Sequence, residues 1–263
     1  MADLWQDFQF GLVALRRRSG ATAILLVSLS LGIGMVSAVF SAVDAVLLQG
    51  LPYKDAAHLV QVSGVLRRGA EVDVRPVSIL DYRDWAERGR AFLLLGAYSK
   101  PTSFTLETQG RVEHLEGELV SASYFQVLGI SPVLGRAFSA EEDRSKDPRY
   151  VVVLGDDLWR ARFGGDRQIV GRSILLDGAS YQVAGVMPPG FRGATDTAQI
   201  WLPLNMAAQL FDEIYTRSRG LRWLNAVGRL APGKTVLGAQ AALDAITAAM
   251  EKEYPRSDKG VGV

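Results

Sequence analysis

The stretch Ser19–Val43, SGATAILLVSLSLGIGMVSAVFSAV, decides how the chain is organised, because its 25 residues carry no charge. As a helix rising about 1.5 Å per residue it is about 37 Å long, enough to cross a hydrocarbon core of about 30 Å with some tilt. A cleavable signal peptide has a shorter apolar region, of about 7 to 15 residues, although small residues near Ser37 leave cleavage as an alternative. The sequence therefore predicts a transmembrane helix within residues 19–48.

The residues before this stretch predict its orientation. Arg16, Arg17 and Arg18 directly precede it, and basic residues flanking a span stay in the cytoplasm. Apolar residues at helical spacing in Leu4–Leu15 indicate an amphipathic helix on the cytoplasmic surface, or alternatively only the lead-in to the span. We therefore expect a cytoplasmic amphipathic segment over residues 1–18 and an extracytoplasmic domain over residues 49–263.

A stripe of small residues runs along the predicted span. Ser30, Gly34, Ala38 and Ala42 recur every four residues, which places them on one face of a helix. Small residues at this spacing let helix backbones approach closely in lipid. The stripe predicts packing against other membrane helices, although small residues are common in membrane spans generally.

Composition excludes several functional classes. The chain has 263 residues with 29 basic and 28 acidic side chains, a net charge of +1. Because the basic and acidic charges nearly cancel, the protein has no strong overall electrostatic field that would attract nucleic acid, and we expect no nucleic-acid partner. The chain has no cysteine and two histidines, His58 and His114. Thiolate chemistry and disulfides are thereby excluded, and two histidines are too few to make a histidine-based zinc site or a catalytic triad an expected feature.

The region after Pro52 reads as a mixed α+β domain, long enough for two subdomains. Strands are indicated by apolar or alternating runs, and helices by capping residues at Ser78, Ser139 and Thr235. Asp177 and Gly178 predict a hairpin turn. The predicted strands are His58–Val65, Arg111–Val120, Tyr150–Leu154, Ile174–Leu176, Tyr181–Val186 and Trp223–Leu230; the predicted helices run from Ser78 to about Glu87, from Ser139, from Asp156 to Phe163 and from Thr235 to about Tyr254.

The segment Gly228–Thr235, GRLAPGKT, formally matches the phosphate-binding pattern G-x-x-x-x-G-K-[ST] between a strand and a helix. A phosphate-cradling loop needs successive inward N–H groups, and Pro232 removes one of them. Only one helix follows, with no later acidic strand end for magnesium. The segment is therefore expected to be a Pro-Gly turn with Thr235 capping a helix and Lys234 in solvent. Nucleotide hydrolysis using Lys234 is the enzymatic alternative.

Other candidate chemistry has a structural explanation. The acidic residues Glu141–Asp143 and Asp156–Asp157 begin helices, where carboxylates favour the helix dipole. Ser123 and Ser173 lack a G-x-S-x-G turn and a histidine base. Tryptophans lie beside apolar residues and are expected in the core: Trp85, Trp159, Trp201 and Trp223. The sequence thus predicts no enzyme, no cofactor, no catalytic residue and no metal site.

Taken together, ordered blocks of the sequence resemble the MacB/FtsX-type ABC-transporter permeases. The N-terminal blocks are similar to the first membrane segment of such permeases, and the later blocks are similar to the MacB-type periplasmic core domain. These blocks are GLVALRRRSGATAILLVSLSLGIG and VFSAVDAVLLQGLPY within residues 1–53, SILDYRDWAERGRAF from Ser78, SASYFQVLGISPVLGRAFSAEED from Ser121, LWRARFGGDRQIVGRSILLDGASYQVAGVMPPGF from Leu158, IWLPL from Ile200, and GRLAPGKT from Gly228.

The resemblance implies a non-catalytic permease component in a bacterial inner membrane. A separate or fused cytoplasmic ABC ATPase moves the membrane helices, and the outer domain transmits that motion to a substrate or partner protein. Implied partners are this ATPase, other permease helices, a homodimer copy, and a periplasmic or outer-membrane protein. The family has three further membrane helices after the core domain, so a chain stopping at Val263 is expected to be a fragment. A membrane-tethered ligand- or protein-binding module is the alternative.

Overall fold

The computed structural model describes residues 20, 28–35, 53, 55–68, 71–108, 110–145, 149–258 and 260–263. The chain divides into two units, Met1–Pro52 and Tyr53–Val263. In the first, residues 28–35 are helical and exposed, and they include Ser30 and Gly34. Within the described ranges, no helix has both the length and the apolar character needed to cross a membrane. Arg16–Arg18, Leu4–Leu15, Ala38 and Ala42 lie outside the described residues, so the span and its orientation stay predictions.

The second unit mixes strands and helices, as expected for an α+β domain. Its strands are β1 (Leu59–Val62), β2 (Gly64–Arg68), β3 (Glu71–Arg75), β4 (Phe92–Ser99), β5 (Thr102–Thr108), β6 (Arg111–Val120), β7 (Leu134–Gly135), β8 (Val151–Leu154), β9 (Ser173–Leu176), β10 (Ala179–Val186), β11 (Ile200–Pro203), β12 (Leu224–Leu230) and β13 (Val261–Gly262).

Its helices are mostly short. They are α1 (Ile79–Arg88), α2 (Tyr124–Leu128), α3 (Ala140–Arg144), α4 (Asp156–Phe163), α5 (Ala207–Leu210), α6 (Ile214–Arg217) and α7 (Val236–Glu253), with 3₁₀ turns at Ala56–His58, Arg167–Ile169 and Leu204–Met206.

The long strand β6 organises the main sheet. It pairs with β5 and β4 in antiparallel fashion and with β11 in parallel. Because β5 also pairs with β9, strands β6, β11, β8, β10, β9 and β5 close into a ring. Strands β4, β12 and β1 extend from β6 as a wing, and β13, β2 and β3 form a separate small sheet.

The hydrophobic core is shared between the ring and the wing. Trp85 of α1, Ala97 of β4, Phe104 of β5 and Leu158 of α4 belong to one cluster of buried side chains. A second cluster surrounds Phe125 and the fully buried Trp201. Core side chains from the ring and from the wing therefore pack together in the first cluster.

Local signals in the sequence explain several element boundaries. Ser78 Oγ accepts a hydrogen bond from Asp81 N at 3.0 Å at the start of α1, and Ser139 with Glu142 forms the predicted capping box. Helix α4 ends at Gly164 in the left-handed conformation. Asp177 and Gly178 both have positive φ between β9 and β10, the conformation a two-residue hairpin turn requires.

One predicted strand was wrong. His58–Val65 was expected to be continuous, but residues 56–58 form a 3₁₀ turn and Ser63 separates β1 from β2. Strand β1 pairs with β12 in the main sheet, whereas β2 pairs with β3 and β13. The alternation of apolar residues continues through the break, so periodicity could not reveal that the chain changes sheets there.

The segment Gly228–Thr235 has the predicted turn followed by a helix cap. Gly228 lies within β12, and a Cβ there would come within 2.5 Å of the Phe92 ring, so the glycine makes room for Phe92. Gly233 has φ +74° in the turn. Thr235 Oγ1 accepts a hydrogen bond from Gly238 N at 3.1 Å and caps α7. Gly228, Gly233 and Thr235 therefore have structural roles in a strand, a turn and a helix cap.

This geometry predicts opposite outcomes for two neighbouring substitutions. Thr235→Ala removes the cap of α7 and should lower the free energy of unfolding by about 1 kcal/mol. Lys234→Ala should change it by less than about 0.5 kcal/mol. Urea unfolding measures both, and ATP titration serves as the control. Saturable ATP binding that Lys234→Ala abolishes would contradict the turn-and-cap interpretation.

Candidate functional site

A buried carboxylate, Glu118, is the hub of a hydrogen-bond network. Its side chain, in β6, is fully buried. Its Oε1 accepts from Thr195 N at 3.1 Å and Thr195 Oγ1 at 2.6 Å, and its Oε2 accepts from Tyr124 OH at 3.1 Å and Trp201 Nε1 at 3.0 Å. Neutral donors from three segments therefore satisfy one carboxylate, and no ion pair to it occurs among the described residues.

The network around Glu118 also fixes the loop between β10 and β11 and reaches the first residue of the domain. Tyr124 OH accepts a hydrogen bond from Ala194 N at 2.7 Å, and Tyr53 OH donates one to Gly193 O at 3.3 Å. Gly193 has φ +76°, and a Cβ there would collide with the Glu118 carboxylate. Glycine is thus required for the loop to lie this close to β6.

Burial dominates the electrostatics of this hub. It raises the pKa of the Glu118 carboxyl, while the hydrogen bonds from Thr195, Trp201 and Tyr124 oppose that rise. Burial, followed by the nearby Glu118 charge, raises the pKa of Tyr124 well above its usual value, so this hydroxyl stays protonated. Because Tyr124 already accepts from Ala194, its proton is directed at Glu118.

A second network ties the C-terminal segment to α1. Arg222 Nη1 lies 2.5 Å from Asp81 Oδ2, and its Nη2 lies 3.4 Å from Asp258 Oδ1. Arg219 pairs with Asp81 at 3.2 Å and with Asp84 at 2.5 Å. All five side chains of this ion-pair cluster are at most 15% exposed.

The segment after α7 is held by more than one contact to this cluster. The guanidinium of Arg219 stacks over the Tyr254 ring, with its central carbon 3.8 Å from the ring centroid. Burial and then the like charge of Asp81 raise the pKa of Asp258, whereas Arg222 and Arg219 lower it. Three carboxylates share two guanidinium groups here, so losing one arginine leaves buried negative charge uncompensated.

Among the described residues, no cluster of His, Asp and Glu could hold a metal ion. Three of the acidic residues considered from the sequence, Glu142, Asp143 and Asp156, have structural partners. Glu142 forms two hydrogen bonds with Arg136, at 2.7 and 2.8 Å, Asp156 pairs with Arg160, and Asp143 Oδ2 accepts from Ala122 N.

Comparison with known proteins agrees with this architecture. A family model described as the MacB-like periplasmic core domain matches residues 22–246. The chain belongs to this family. A macrolide export ATP-binding/permease protein MacB from Burkholderia cenocepacia is 31% identical over 106 residues, which cover 39% of this chain and 15% of that relative. The chain therefore corresponds to a small part of the length of this relative.

Two solved structures share the fold of this MacB-like periplasmic core domain. A domain of a permease protein from Porphyromonas gingivalis has a TM-score of 0.56 and 14% identity, with 80% of this chain and 89% of that chain covered. The periplasmic region of MacB from Actinobacillus actinomycetemcomitans has a TM-score of 0.54 and 14% identity, with 76% and 86% covered.

In this MacB-like domain the structure brings together residues that the sequence did not identify as site residues. Glu118 lies in an alternating strand where a charged residue is expected to face solvent, and the fold turns it inward. Arg219 and Arg222 lie far from Asp81 in sequence, so only the tertiary structure unites them. Trp85, Trp159 and Trp201 are buried as predicted, whereas Trp223 is half-buried and packs against the core. Trp201 and Glu118 are far apart in the sequence, so nothing in the sequence indicated that their side chains form a hydrogen bond.

The Glu118 hub predicts an unusual pH dependence of stability. Since its folded-state pKa is raised, the protein should lose stability as pH rises from the ordinary carboxyl value of about 4.3 through the raised value. Glu118→Gln should lower the free energy of unfolding by about 1–3 kcal/mol, because the amide turns a donor toward donors. The difference between wild type and Glu118→Gln should shrink with rising pH in urea unfolding curves.

A matched control lies two residues away on the same strand. The side chain of Glu116 is exposed, so Glu116→Gln should change stability by less than about 0.5 kcal/mol at every pH tested. A wild-type advantage over Glu118→Gln that grows with pH would show that the carboxyl pKa is lowered instead.

The ion-pair cluster predicts a large effect from one arginine. Arg222→Met removes the guanidinium that pairs with Asp258 and leaves Asp81 with Arg219 alone. It should lower the free energy of unfolding by about 3 kcal/mol or more. Arg217→Met is the control, because Arg217 forms an exposed pair with Glu213 on α6 and should cost less than about 0.5 kcal/mol. Equal losses in thermal or urea unfolding would argue against a stabilising role for the cluster.

Proposed function

We propose that this chain is a non-catalytic permease component of an ABC-type export or mechanotransmission system. Its outer domain would couple the motion of membrane helices to a substrate or partner protein. The observation that carries this proposal is the attachment of both ends of the domain to buried carboxylate networks, through Tyr53 at one end and Asp258 at the other. Force entering at either end would reach the sheet without first unfolding a loose linker.

Family membership supports the partners that we propose. The name of the Burkholderia relative joins ATP-binding and permease functions, and an ABC ATPase subunit or domain is the corresponding partner here. Other permease helices or a second copy would pack on the stripe of Ser30, Gly34, Ala38 and Ala42. A periplasmic or outer-membrane protein would meet the outer domain. Since the relatives are longer than this chain, later membrane helices would come from the rest of a longer protein.

We also propose an inner-membrane location with the N-terminus in the cytoplasm. The uncharged stretch Ser19–Val43 and the preceding Arg16–Arg18 support it. A reporter that is active only outside the cytoplasm should be active when fused after Val263, whereas a cytoplasm-only reporter should be inactive there. Activity of the cytoplasm-only reporter would contradict this orientation.

Two glycines in the 28–35 helix provide a test of helix packing with a built-in control. Gly34 lies on the small-residue stripe, whereas Gly32 is two residues away, about 200° around the helix. A Cβ at either position has no heavy atom within 4 Å. Gly34→Ile should therefore reduce association with partner helices, and Gly32→Ile should not.

The measurement is co-purification from native membranes in mild detergent with the tagged full chain. ATP hydrolysis in the eluate should accompany wild type and Gly32→Ile and fall in Gly34→Ile. Absence of ATPase from the wild-type eluate would count against a permease component, and equal ATPase in both variants would count against the stripe.

The alternative is a tethered module that binds a ligand or protein outside the cytoplasm. A cleft of about 410 Å³ beside β4 favours it, lined by residues of α1, α2 and α3. The two functions are compatible, because a coupling domain also needs a surface on which to act.

A further inference from the structure

The cleft beside β4 exposes a length of unpaired strand. On one edge, β4 pairs with β12 along its length. On the other edge, its partner β6 meets it only at the pair Tyr98 and Val120. Among the residues that the structure describes, no strand covers that second edge from Phe92 to Leu95. These four residues span about 10 Å at about 3.3 Å per residue.

The direction of the main-chain groups along this edge follows from the bonds already made there. Ala97 N donates to Ser121 Oγ at 3.0 Å, and Ala97 O accepts from Ser121 N at 2.9 Å, both on the β6 side. Leu95 O faces the same side, where it accepts from Ser123 Oγ at 2.6 Å and from Tyr82 OH at 3.2 Å. Because N–H and C=O of one strand residue point the same way, Leu95 N–H also faces the cleft.

The residue Leu93 is available on this edge as well. The register of β4 with β12 slips there, with Leu94 opposite Arg229 and Phe92 opposite Leu230, so that Leu93 is the extra residue of a bulge. A bulged residue is left out of the ladder. Its side chain is 58% exposed. Leu93 therefore offers both its main-chain groups and its apolar side chain to a ligand in the cleft.

The wall opposite this edge carries the carboxylate of Asp143, with the guanidinium groups of Arg83 and Arg144 close by. Asp143 of α3 lines the cleft, and its buried Oδ1 has no hydrogen-bond partner, whereas Oδ2 accepts from Ala122 N at 3.2 Å. Arg144 lines the cleft too but pairs with exposed Glu87 at 3.8 Å. Burial raises the pKa of Asp143, while the Ala122 N–H, Arg83 and Arg144 oppose that rise, and a further cation beside Oδ1 would stabilise the ionised form more.

We propose that this cleft binds an extended segment of a partner protein that carries a basic side chain. The segment adds a short strand to this edge of β4, pairing with the main chain of Leu93 and with the Leu95 N–H, because Leu95 O already accepts from Ser123 and Tyr82. Its basic side chain points to Asp143, and its apolar side chains contact Leu93 and Phe138. Strand addition of this kind takes affinity from main-chain hydrogen bonds and selectivity from side-chain pockets. The binding goes beyond the proposed coupling function and does not depend on it.

Fluorescein-labelled peptides test this proposal with the full chain in detergent micelles. The probes are Val-Lys-Val-Lys-Val, its Glu-for-Lys twin and a backbone N-methylated form of the Lys peptide, all with blocked ends. The Lys peptide should bind at least about fivefold more tightly than the Glu peptide, a difference of about 1 kcal/mol. The N-methylated peptide should lose binding, and amide hydrogen exchange in residues 92–95 should slow only with the Lys peptide.

Two alanine substitutions separate binding in the cleft from binding elsewhere. Ala86 is exposed on α1 and lines the cleft, whereas Ala248 is exposed on α7 and does not. Ala86→Trp should weaken the Lys peptide at least about tenfold, equivalent to about 1.4 kcal/mol, and Ala248→Trp should leave it unchanged. Asp143→Asn should remove the preference for Lys over Glu.

Three outcomes overturn the proposal. The first is the absence of saturable peptide binding, and the second is equal binding of the N-methylated peptide. The third is self-association of the chain that Ala86→Trp abolishes without any peptide binding, which assigns the cleft to a second copy. None of these outcomes bears on co-purification with an ATPase, so failure here is distinguishable from failure of the proposed function.

Discussion

The buried carboxylate of Glu118 is the constraint on which the surrounding structure depends. An ionisable group without water must be neutral or fully hydrogen-bonded. The fold meets this need with donors from Thr195, Tyr124 and Trp201, which belong to a loop, a helix and a strand. Each donor must be held in place for the carboxylate to stay satisfied. The position of the loop between β10 and β11, and through it of Tyr53, follows from that requirement.

The two networks differ in how they compensate buried charge. At Glu118 neutral donors surround a single carboxylate, whereas Arg219 and Arg222 are shared among three carboxylates. Neutral donors fix geometry, because each bond has a preferred direction. Guanidinium groups add attraction that acts over a longer range and survives small displacements. The domain therefore has a rigid attachment near its first residue and a more tolerant one near its C-terminal segment.

Local structure could be predicted from the sequence wherever the cause was local. The cap at Ser78, the capping box at Ser139, the turn at Asp177 and the exact extent of α4 and β6 follow from neighbouring residues. The family also followed from ordered sequence blocks. Where the cause is tertiary, prediction failed: nothing near Ser63 signals that β1 and β2 enter different sheets. The burial of Glu118 was missed for the same reason, since alternation suggests exposure and only the packing of β11 and α2 beside it makes it buried.

The ring formed around β6 has a consequence for how the domain comes apart. Every strand in the ring has neighbours on both sides, so hydrogen-bonded pairs cannot separate one after another from a free border. The wing ends at β1, whose outer border is open among the described residues. We therefore expect thermal fraying to begin in the wing and the strands of the ring to separate more cooperatively. Under load, such a domain is expected to unfold first in the open wing and last in the closed ring of strands.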